Sequence, residues 1–79
     1  MVRAAVVASP AGDGMVVTQV VLEGGAAWVS GPGGPRRSRR PYASLAEAVE
    51  QNSRSTTTAF EVEFADEAEA LAALGEPPP

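Results

Sequence analysis

MVVTQVVL, residues Met15–Leu22, is the stretch on which the fold turns. Only Thr18 and Gln19 in it are polar, and its apolar side chains fall at both parities. On a regular strand Val16, Val20 and Leu22 point one way, while Met15, Val17 and Val21 point the other. A strand that is apolar on both sides must be covered on both sides. Turn residues bracket the stretch, with PAGDG (Pro10–Gly14) before it and EGG (Glu23–Gly25) after it. Outward from those turns lie two further strands. VRAAVVAS (Val2–Ser9) is the near-continuous apolar run of an interior strand, and AAWVS (Ala26–Ser30) is a short third one. Together the three predict an antiparallel meander.

The second half of the chain predicts a helix, a strand and a helix. Ser44 and Glu47 have the S-x-x-E spacing of a capping box, and Leu45, Ala48 and Val49 form the apolar stripe of the helix that follows. In TTTAFEVEF (Thr56–Phe64), Phe60, Val62 and Phe64 alternate with Ala59, Glu61 and Glu63, the pattern of a half-buried strand. Asp66 and Glu69 repeat the cap for a helix over Glu67–Leu74, which Gly75 stops. The expected fold is therefore α+β, in the order βββαβα, as a single domain over residues 1–75. It has a Gly/Pro/Arg-rich loop at 31–43 and a flexible Pro-rich tail at 76–79. A right-handed crossover would place strand four parallel to strand one, as an edge, with both helices on one face of the sheet. That arrangement leaves Met15, Val17 and Val21 on an open face, which points to a homodimer or another protein partner over them. The competing reading has loop 31–43 fold back as a lid.

Composition narrows the chemistry. The 79 residues carry a net charge of −4, no cysteine and no histidine, and all six positive side chains are arginines. Zinc sites of the usual kind and Ser–His or Cys–His nucleophiles need residues that this chain lacks. Glu61 and Glu63 share a strand face, but they read as the solvated side of an edge rather than as an acid pair in a cleft. The expectation is a non-catalytic protein without cofactor or metal. The apolar run Ala4–Ala8 is too short for a signal peptide or a membrane span, so the expected location is cytoplasmic.

GPGGPRRSRRPY (residues 31–42) is the remaining candidate for a binding role. Pro32 and Pro35 each remove a backbone donor and no lysine follows, so the glycines do not make a phosphate-cradling loop. The stretch reads as a stiffened connector. Arg36, Arg37, Arg39 and Arg40 can act as planar forks for phosphates, with Tyr42 stacking on a base. They can equally pair with the acids Glu61, Glu63, Asp66, Glu67, Glu69 and Glu76, within the chain or across a dimer, or dock a protein. The net negative charge works against free nucleic-acid binding at long range.

AVVASPAGDGMVVTQV, followed by WVSG and YASLAEAVEQ, resembles the HicB-type antitoxins over roughly Val2–Gln51. The departures are a missing L-P-G-C-like segment before the third strand and the arginine-rich insert. The resemblance implies a partial RNase H-like sheet without catalytic carboxylates. It also implies a protein that blocks an RNA-cleaving toxin by occlusion, with Glu61, Glu63, Asp66, Glu67 and Glu69 in the place of RNA phosphates. A phage-encoded inhibitor of a host nucleic-acid-processing complex, of the anti-CRISPR type, shares the same small acidic build. Direct binding of nucleic acid through the arginines is the third reading.

Overall fold

The computed structural model describes all residues, Met1–Pro79, as one five-stranded sheet with two helices. The chain order is β1 (Val2–Ala11), β2 (Gly14–Leu22), β3 (Ala27–Gly31), β4 (Gly34–Arg37), α1 (Leu45–Asn52), β5 (Thr58–Phe64) and α2 (Glu67–Ala72). The α+β class and the meander are as the sequence predicts. The order is ββββαβα, however, because the supposed connector contains a strand.

GPGGP is that strand's turn. Pro32 and Gly33 form a two-residue hairpin between β3 and β4, with Gly33 at φ +92°, the proline–glycine pair that a type II turn uses. The extra hairpin reverses the chain once more before the crossover. As a result β5 reaches β1 antiparallel, not parallel, pairing Val2 with Phe64 through Ala8 with Thr58. Across the sheet the strands lie in the order β4-β3-β2-β1-β5. β5 is an edge, as predicted, and the opposite edge is β4.

The helices lie on opposite faces of the sheet, not on one. Ala4 and Val6 of β1 belong to a cluster with Val17, Val20, Leu22, Phe64 and Ala70 of α2. Ala5, the residue between them, belongs to a second cluster with Val21, Ala27 and the α1 residues Leu45 and Ala48. Alternate residues of one strand face opposite ways, so the sheet is sandwiched between the two helices. The two-sided apolar character of β2 is thereby satisfied within one chain.

Met15, Val17 and Val21 do not share a face. The register passes from Val7↔Gln19 to Ala8↔Val17, which leaves Thr18 as the extra residue of a β-bulge. The bulge turns Val17 toward Val20 and Leu22 on the α2 side, while Val21 lies under α1. Val17 is 1% exposed and Val21 0%, so the open valine face that called for a partner does not exist. The end of the chain is also engaged: Val17 donates its N–H to the Glu76 carbonyl at 2.8 Å, and Gly75 donates to Val17 at 2.9 Å. Residues 75–76 thus continue the backbone pairing of β2 beyond the reach of β3, whose register stops at Gln19↔Val29.

Candidate functional site

The β4 edge gathers the arginines. Arg36 pairs with Val29 and Arg37 with Trp28, so successive guanidinium groups are sent to opposite faces of the outermost strand. Ser38 donates its N–H to the Ala27 carbonyl at 2.7 Å, which extends the pairing by one residue and holds Arg39 and Arg40 next to the edge. All four arginines are exposed. Both ion pairs of the structure belong to Arg3, with Glu61 at 3.7 Å and Glu63 at 3.1 Å. Arg36, Arg37, Arg39 and Arg40 therefore have no acidic partner within the chain, and the intramolecular pairing considered for them is not found.

The acids are differently placed. Glu61 and Glu63 stand on β5, at the far edge of the sheet, in contact with Arg3. Asp66 Oδ1 accepts the Glu69 N–H at 2.8 Å, and Glu69 Oε2 accepts the N–H of Ala65, the residue before the cap, at 2.6 Å, a capping box shifted by one residue on its return bond. Four of the five candidate acids are thus engaged in local structure, and Glu67 alone makes no such contact. Three intervening strands separate the two edges, which puts basic and acidic ends about 19 Å apart at the usual strand spacing.

Tyr42 is not a free stacking platform. Its ring is half-buried against the α1 cluster, and its backbone N–H donates to the Gly25 carbonyl at 2.9 Å. Its hydroxyl donates to Gln19 Oε1 at 3.3 Å and accepts from Asn52 Nδ2 at 3.0 Å, while Asn52 also donates to the Ala48 carbonyl at 2.8 Å. This chain of bonds fixes the orientation of the Gln19 amide, leaving its Nε2 donors free.

Two clefts adjoin the arginines. One, of about 390 Å³, is lined by Val29, Arg36, Arg37, Ser38 and Arg39. The other, of about 400 Å³, lies between the strand edge and α1, lined by Gln19, Ser38, Arg40, Tyr42, Glu47 and Gln51 together with Pro41. Ser38 lines both, so a basic cleft and a polar one adjoin at that residue. Sequence reasoning missed Gln19, Glu47 and Gln51 as lining residues. Gln19 and Gln51 lie on different elements and meet only through the crossover, so no local motif marks them.

No protein-family model, curated protein or solved structure matches the chain.

Proposed function

We propose that this protein is a binding module whose working surface is the arginine-bearing β4 edge, and that its ligand is the phosphodiester backbone of a nucleic acid. One observation carries the reading: four exposed guanidinium groups, held at one sheet edge by a hairpin, lack any carboxylate partner, whereas four of the five acids on β5 and at α2 are engaged in pairs and caps. Strand geometry sends Arg36 and Arg37 to opposite faces, so an edge-on phosphate backbone can be clasped from both sides. Guanidinium forks bind phosphate oxygens bidentately, which gives such contacts direction as well as charge. The acidic end lies across the sheet, where its repulsion of the ligand is damped by a Debye length of about 8–10 Å at ordinary ionic strength.

The test is retention of labelled DNA or RNA by the purified protein at low salt. Binding is expected for the native chain and is lost in the Arg36/Arg37/Arg39/Arg40→Ala variant. A native chain that retains no labelled strand at low salt would overturn the reading.

A second reading has support from the other end of the molecule. Glu61 and Glu63 stand on the α1 face of the β5 edge and Asp66, Glu67 and Glu69 at the start of α2 on the other face, so acids flank this edge on both faces, as an occluding inhibitor of a basic, RNA-cleaving toxin could use. This is the HicB-like function, and in it the protein covers the toxin's nucleic-acid site. Protection of such a toxin's RNA substrate, abolished by Glu61/Glu63/Glu67→Gln, would favour it over the arginine edge.

A further inference from the structure

The proposed phosphate-binding edge leaves the polar cleft beside it unexplained. We infer that the cleft between the strand edge and α1 accepts one unstacked base of a single strand, and that it selects bases bearing an exocyclic amine. The inference rests on the preceding reading of the arginines and deepens it by naming the ligand class.

The argument is one of position and of hydrogen-bonding groups. Ser38 lines both clefts, so a backbone lying on Arg36, Arg37 and Arg39 runs beside the cleft bounded by Arg40, Gln19, Glu47 and Gln51. The cleft's volume of about 400 Å³ falls within the usual range for ligand sites. Its groups have defined polarity. Gln51 Nε2 donates to Glu47 Oε1 at 2.9 Å, which leaves Gln51 Oε1 as an unoccupied acceptor. Glu47 Oε2 accepts the Ala43 N–H at 3.1 Å, so the carboxylate is held in place while retaining lone pairs for a further donor. Gln19 has both Nε2 donors free, while its Oε1 already accepts the Tyr42 hydroxyl. The cleft thus presents a carboxylate and an amide oxygen beside an amide nitrogen and a guanidinium. An amino-bearing base edge supplies two N–H groups to the acceptors and ring or carbonyl acceptors to the donors. Carboxylates are the natural acceptors for the cytosine amine. Thymine and uracil present one N–H between two carbonyls and satisfy this set less well. Neighbouring bases in a duplex keep their pairing edges occupied, so a duplex reaches only the arginines.

The experiment measures fluorescence anisotropy of labelled homopolymers of about twelve nucleotides, oligo(dC) and oligo(dT), with a duplex of equal length, at low salt. Oligo(dC) is expected to bind about 5- to 10-fold more tightly than oligo(dT) and more tightly than the duplex. Gln51→Ala, at an exposed position, and Glu47→Gln, which keeps an oxygen for the Ala43 N–H, each narrow the dC/dT ratio. Far-UV circular dichroism confirms that each variant is folded. Equal binding of all three ligands, abolished by loss of the arginines, overturns the base cleft and leaves the phosphate edge standing. If none of the three binds, or if binding survives loss of the arginines, both fall.

Discussion

Gly25, at φ +92° in the β2–β3 turn, has the tightest surroundings of any glycine in the chain. A Cβ built there would collide with the Tyr42 carbonyl oxygen, and the Gly25 carbonyl itself accepts the Tyr42 N–H. This contact pins the segment after β4 across the face that α1 covers, and with it the side chains around the polar cleft. Gly25→Ala introduces both a strained backbone and a collision with main-chain atoms, neither of which a rotamer change relieves. The expected loss is at least about 2 kcal/mol in chemical denaturation. A variant as stable as the native protein would show that the Tyr42 segment is not held this way. Gly24→Ala is the control, since it shares a positive φ of +94° but has nothing within 4 Å of the added Cβ.

At the scale of elements, the bulge at Thr18 decides which valines meet which helix. Because Val7↔Gln19 and Ala8↔Val17 are the pairings on either side of it, deleting Thr18 restores a regular ladder without changing either partner. Such a variant is expected to unfold cooperatively, with a loss of about 1–2 kcal/mol. Failure to fold would mean that the bulge is essential to the fold rather than a register correction. The same bulge marks the limit of what was legible beforehand. The meander, the capping boxes at Ser44 and Asp66, and the edge position of β5 all follow from local pattern, and the structure contains them. Simple alternation at Met15–Leu22 assigns Val17 to the wrong face, because a single unpaired residue leaves no signature in hydrophobicity. Pro32–Gly33 did carry a turn signal. The arginines beyond it mimic a solvated connector, which is also how a charged edge strand protects itself from pairing. Missing that strand led to the wrong direction for β5, and placing both helices on one face left an uncovered valine surface that the molecule does not have.

At the scale of the whole molecule, the sheet separates charge. Four of the six arginines stand on or just after β4, five of the ten acids stand on β5 or at α2, and the interior between them is filled largely by valine and alanine. The arginine quartet was visible in the sequence, but its freedom from partners was not. That depends on which edge the crossover brings the acids to. The central claim is that Arg36, Arg37, Arg39 and Arg40 act together as phosphate contacts. Its most direct test is the salt dependence of binding to a single-stranded oligonucleotide as the four are replaced by alanine one after another. The account predicts that the slope of log affinity against log salt begins near −3 and shrinks by about 0.7 with each arginine removed. A slope that stays the same through all four replacements would contradict it.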